Sequence, residues 1–94
     1  MLVEDIEVKL LLESLWVAIG TIHHEGSEVL GVFSSMDLAM SACMRDETSK
    51  RAEGADLGWP PDRYDVDEWE MNGKLIGGAH RLALTNAWTH WEEE

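Results

Sequence analysis

Positive charge is scarce in this chain. Seven Lys and Arg stand against nineteen Asp and Glu, a formal net charge of −12, and no base occurs between Lys9 and Arg45. Phosphates would be repelled by such a surface rather than steered to it, which excludes nucleic acid as a direct ligand. Cysteine is nearly absent. The lone Cys43 excludes an intramolecular disulfide framework and a zinc site built on several thiolates. The opening Met1-Leu2-Val3-Glu4-Asp5 has no basic stretch ahead of an apolar one, so no secretory signal is expected. Long hydrophobic runs are missing too, since the longest mainly apolar stretch, Leu15 to Ile22, falls far short of a membrane span. These absences point to a soluble protein in a reducing, cytoplasmic setting.

What is present suits a globule. Hydrophobic residues make up 45% of 94 residues, enough for one core and one domain over 1–94, with 91–94 expected to fray. The bases that do occur gather at Arg45, Lys50, Arg51 and Arg63, which leaves the rest of the surface predominantly negative.

The first dozen residues read two ways. Ile6, Val8, Leu10 and Leu12 alternate with polar residues as in a half-buried strand, while Leu2, Ile6 and Leu10 would also line one side of a helix. The strand is preferred. Leu15 to Ile22 is rich in β-branched and aromatic types, Glu25-Gly26-Ser27-Glu28 supplies a turn, and Val29 to Phe33 returns as the second arm of a hairpin. Ser34 is the expected helix cap with Asp37 three residues on, and the helix runs from about Ser35 to Ser49. Gly54, Gly58 and Pro60-Pro61 then mark a loop. In Tyr64 to Met71 the alternation slips, and a bulge at Asp67-Glu68 would bring Tyr64, Val66, Trp69 and Met71 onto one apolar face. Asn72-Gly73 signals a hairpin returning through Lys74-Leu75-Ile76, and Gly77-Gly78 breaks the pattern. Leu82, Ala83, Ala87 and Trp91 admit a short C-terminal helix within 79–91. The expected fold is α+β: an antiparallel sheet of three to five strands with one principal helix on a face.

Gly31-Val32-Phe33-Ser34-Ser35, the helix residues Ala39 and Ala42-Cys43, and the acidic run from Tyr64 to Met71 resemble a group of small, largely uncharacterised bacterial and phage proteins. The resemblance covers roughly residues 15–72. It implies an α+β domain with an accessory role in a bacterial host cell, and it brings no catalytic residues. In that layout Ala39, Ala42 and Cys43 pack on the sheet. Met36, Met40 and Met44 depart from it, forming a stripe about 110° around the helix from that face. The stripe is either an adaptable docking surface or simply more core.

The chemistry-bearing residues offer little for catalysis. His23-His24, His80 and His90 form no metal-ligand spacing, and neighbouring histidines on a strand face opposite ways. Cys43 lies mid-helix on the expected core side, where a thiol is inert. Trp16 and Trp69 are expected in the core, with Trp59, Trp88 and Trp91 partly exposed. Asp65, Asp67, Glu68 and Glu70 lack a phosphate loop, nucleophile or metal framework beside them. No catalytic, cofactor or metal residue is therefore assigned, and a small hydrolase ranks last.

Those four carboxylates carry the functional expectation instead. Same-face residues along a strand recur every ~6–7 Å, close to the phosphate repeat of a nucleic-acid strand. An ordinary solvated edge strand would look the same. The preferred reading is a non-enzymatic acidic inhibitor, phage- or mobile-element-encoded, that docks on the basic surface of a host nucleic-acid-handling complex. A CRISPR surveillance complex is one such target, and the mechanism is then anti-CRISPR-like mimicry of nucleic acid. Asp65, Asp67, Glu68 and Glu70 would stand in for phosphates, helped by Glu25 and Glu28. The alternative is a homodimer, or an antitoxin or immunity protein, using Met36, Met40 and Met44.

Overall fold

The computed structural model of the chain describes residues 14–52 and 59–93. The expectations for residues 1–12, for Gly54 and Gly58, and for Glu94 lie outside those residues. The β-rich run after Glu13 forms β1 (Ser14–Ile22), and the chain turns back as β2 (Gly26–Phe33). Helix α1 (Met36–Arg51) follows, then β3 (Arg63–Glu70), β4 (Leu75–Leu82) and β5 (Thr89–Glu92). The strands make one sheet in the order β2-β1-β3-β4-β5, antiparallel at every junction. The helix carries the chain from β2 across β1 to β3. This is the α+β fold expected from the sequence, with five strands and one packed helix among the described residues.

Ser35, not Ser34, caps the helix. β2 runs to Phe33, which leaves Ser35 as the last extended residue, and its hydroxyl accepts from the Leu38 amide at 3.2 Å. Asp37 in the first turn and Lys50 with Arg51 in the last complement the helix dipole. The helix lays Ala39, Ala42 and Cys43 on the sheet as expected, against Ala18, Tyr64, Val66 and Ala79. Its contact residues are small, so α1 approaches closely, while Trp16, Leu30, Phe33, Met36, Met40 and Trp88 fill the flanks.

Three C-terminal expectations are corrected. Gly77 and Gly78 do not break β4 but sit buried inside it. A Cβ on Gly77 would lie 2.6 Å from the Trp91 carbonyl oxygen, and one on Gly78 would run into the Val66 carbonyl, so close strand approach requires glycine at both. No helix forms within 79–91. β4 continues to Leu82, and β5 pairs Trp91 with Gly78 and Glu92 with Gly77. Nor does the chain fray from residue 91, because the Glu93 amide donates to Ile76 O at 2.7 Å.

The slipped alternation in β3 resolves differently from the expected bulge. Register against β1 is continuous from Thr21↔Arg63 to Ser14↔Glu70. The irregularity lies between β3 and β4, where Glu68 faces Gly77 and Trp69 faces Leu75, leaving the extra residue in β4. β3 therefore keeps strict alternation. Tyr64, Val66 and Glu68 face the helix, whereas Asp65, Asp67 and Trp69 face away. Trp69 is 37% exposed rather than in the core.

Candidate docking surface

Alternation divides the acidic strand between two faces. Glu68 accepts from the Ser14 hydroxyl on the helix side, and Glu70, two residues on, shares that side. Asp65 and Asp67 occupy the opposite face. The four carboxylates therefore do not make a single row of phosphate-like charges. Glu25 and Glu28 are farther off, at the β1–β2 turn, where β2 residues pair with the Gly20–Ile22 end of β1.

On the helix side, Trp16, Glu68, Gly77 and Glu92 line up across β1, β3, β4 and β5. Gly77 leaves a floor without a side chain. The resulting cavity, about 330 Å³, is lined by Trp16, Met36, Glu68 and His90 with Glu92 and Glu93. Glu92 and Glu93 were not singled out from the sequence, because β5 was read as helix and tail.

Four of the described cations are tied to carboxylates. Arg81, 2% exposed, pairs with Glu47 at 3.0 Å and donates to the Thr85 carbonyl. Its guanidinium lies 4.9 Å from the Tyr64 ring centroid and 5.3 Å from that of Trp88. Tyr64 donates to Asp46, Asp46 holds Lys50 at 3.0 Å, and Lys50 reaches Glu28 at 3.4 Å. Burial works to lower the Lys50 pKa, but Asp46 and Glu28 outweigh it and raise it. Burial, reinforced by Asp46, pushes the Tyr64 phenol up as well. Arg51 pairs with Glu47, and Arg63 clasps Asp65 through Nε and Nη2. Glu28 and Asp65 are thus partly neutralised, whereas Glu25, Asp67, Glu70, Glu92 and Glu93 have no ion pair among the described residues.

Asp67 differs from the rest. It lies between Val17 on β1 and Gly78 on β4, on a face that also carries Leu15, Ile19 and Trp69. Burial raises its pKa, the Asp65 carboxylate adds to the rise, and Arg63 partly offsets it.

The methionine stripe rolls off the core. Met36 and Met40 pack against it and Met44 is exposed, so the stripe is not one continuous outward surface. Cys43 is fully buried, and burial pushes its thiol up to about 12, which keeps it protonated. Among the described residues no group of three or more His, Cys, Asp or Glu is placed to hold a metal ion, and no helix is long and apolar enough to cross a membrane.

No curated protein and no solved structure matches the chain. One domain family does, over residues 16–76, from the second residue after the start of β1 to the beginning of β4. That match spans the hairpin, the helix and the acidic strand, and by it the chain belongs to the family described as domain of unknown function DUF7336.

Proposed function

We propose that this protein is a non-enzymatic acidic binding module that docks on a basic surface of a nucleic-acid-handling protein complex. One observation carries the reading. Lys50, Arg51, Arg63 and Arg81 are each tied to a carboxylate of the same chain, which leaves Arg45 and Lys74 as the described bases without an ion pair. The unpaired carboxylates outnumber these two bases and dominate the field around the molecule, and a protein with that field competes with phosphates for cationic partners.

The placement of the acids moves the mimicry away from β3 alone. Glu68 and Glu70 of β3 and Glu92 of β5 lie toward one end of the sheet on the helix side, and Glu93 lines the same cavity as Glu68 and Glu92. An inhibitor of a bacterial defence complex, phage-encoded and working in the cytoplasm, is the most specific form of the proposal. The resemblance of the hairpin, capped helix and acidic strand to phage and bacterial proteins motivates that form.

Capture from a bacterial lysate on the tagged full chain tests it, with elution from about 50 to 500 mM salt. The expected partners bind nucleic acid, leave as salt rises, and are displaced by added oligonucleotide. Partners that stay bound at the upper salt limit and ignore the oligonucleotide overturn the reading.

A further inference from the structure

The face of the sheet opposite α1 carries apolar side chains from both halves of the hairpin and from β3. Leu15, Val17, Ile19, Val29, Val32 and Trp69 point that way, with Val29 62% and Val32 57% exposed. None of the described elements packs on it, since α1 sits on the other side against Ala18, Val66 and Ala79. At one end this face opens into a cavity of about 450 Å³ lined by Thr21, His23, Asp62, Arg63 and Leu82.

Within this surface Asp67 stands without a cation. Asp65 is held bidentately by Arg63, but Asp67, two residues along the same strand, has no hydrogen bond or ion pair among the described residues. Its cross-strand neighbours are Val17 and Gly78, and neither can compensate a charge. A half-buried carboxylate amid apolar groups is unfavourable alone and becomes favourable once a cation meets it in a dry contact. A second copy of the chain is a poor occupant, because two molecules each carrying −12 repel.

Resting on the binding role proposed above, we infer that this open face is a further docking surface, on the other side of the sheet from Glu68 and Glu92, and that its occupant is a basic partner segment carrying apolar side chains and a Lys or Arg that reaches Asp67. The apolar residues on either side exclude water, and the ion pair sets the register of the partner on the sheet. Poorly matched basic surfaces would be drawn by the overall charge but would not seat.

The test uses the full ¹⁵N-labelled chain and three nine-residue peptides: alternating valine and lysine, alternating valine and glutamate, and lysine alone. The valine–lysine peptide is expected to shift the amides of Val17, Ile19, Asp67 and Trp69, and the valine–glutamate peptide to shift none. Asp67→Asn should weaken the valine–lysine peptide about tenfold. Asp37→Asn, an exposed helix acid, should leave it within about twofold, as expected for a carboxylate outside the contact. Shifts confined to the Glu68 and Glu92 side, equal binding by Asp67→Asn, or no binding of this peptide overturns the inference. So do nuclear Overhauser contacts in the free protein between residues 1–13 and Val17 or Ile19, or concentration-dependent shifts that mark a second copy there. Salt-sensitive binding of the lysine peptide separates the two levels. Retained while the valine–lysine mapping fails, it preserves the proposed function and removes only this surface; lost as well, it removes both.

Discussion

Arg81 of β4 and Glu47 of α1 are 34 residues apart in sequence and meet as an ion pair of 3.0 Å, with the arginine almost wholly buried. Glu47 grips both β4 and the connection that follows it, because its other oxygen accepts from the Leu84 amide at 3.1 Å. A single helix carboxylate thereby fastens the C-terminal part of the sheet, which α1 otherwise touches little.

Removing that carboxylate is expected to be severe. Glu47→Ala leaves a buried guanidinium without its counter-charge, a loss of about 3–5 kcal/mol. Urea unfolding of the variant should show it as a large fall in midpoint. A fall no larger than that of Asp37→Ala, an exposed helix acid, would mean the pair contributes little.

Leu84 is held at a φ of +65°, a left-handed conformation that a leucine adopts at a cost, and its side chain is exposed. Leu84→Gly should therefore stabilise the protein by about 0.5–1 kcal/mol, with little burial lost. Thermal unfolding checks this, and a lower midpoint contradicts it.

The acidic strand gives a pH-dependent prediction. Asp67 has a raised pKa in the folded chain, so its ionisation opposes folding. That penalty is absent below the ordinary carboxylate pKa and complete above the raised one. Asp67→Asn should accordingly match the wild type near pH 3 and be the more stable of the two at pH 7, as measured by paired denaturation curves.

How much of this was legible beforehand depends on the kind of signal. The β1–β2 hairpin, the helix and the Asn72-Gly73 turn carry local chemistry, and Gly73 takes the positive φ, +91°, that such a turn asks of glycine. β5 was not legible. Thr89 to Glu92 alternates too briefly to outweigh helical spacing of Leu82, Ala83, Ala87 and Trp91, and its strand character comes from pairing with β4. Gly77-Gly78 misled for the same reason. Their lack of side chains serves the close approach of β3 and β5 rather than a turn. The division of Asp65 and Asp67 from Glu68 and Glu70 hinged on which strand holds the extra residue, and a tertiary register decides that. The pairing of Arg81 with Glu47, and of Lys50 with Glu28, depends on side chains far apart in sequence.

Those glycines make a further test. Gly77→Ala should cost about 1–3 kcal/mol by forcing β4 and β5 apart. Hydrogen exchange should then accelerate first at the β5 amides. Unchanged protection there would mean the strand accommodates the methyl group.

Cys43 should resist thiol reagents at pH 8 until the chain unfolds, since its sulfur is buried and its thiol stays protonated. Reaction with a chromogenic disulfide at the same rate in native buffer and in denaturant would contradict this burial.

Placing β1 between β2 and β3 has a kinetic consequence. Its hairpin with β2 can close within microseconds, but its other edge must wait for a partner beyond the whole helix, as the pair Ser14↔Glu70 illustrates. Refolding should therefore be governed by this distant closure and fall in the millisecond-to-second range of chains with many non-local pairings. The short interval before β3 arrives is when the unpaired edge of β1 is most open to capture by another molecule.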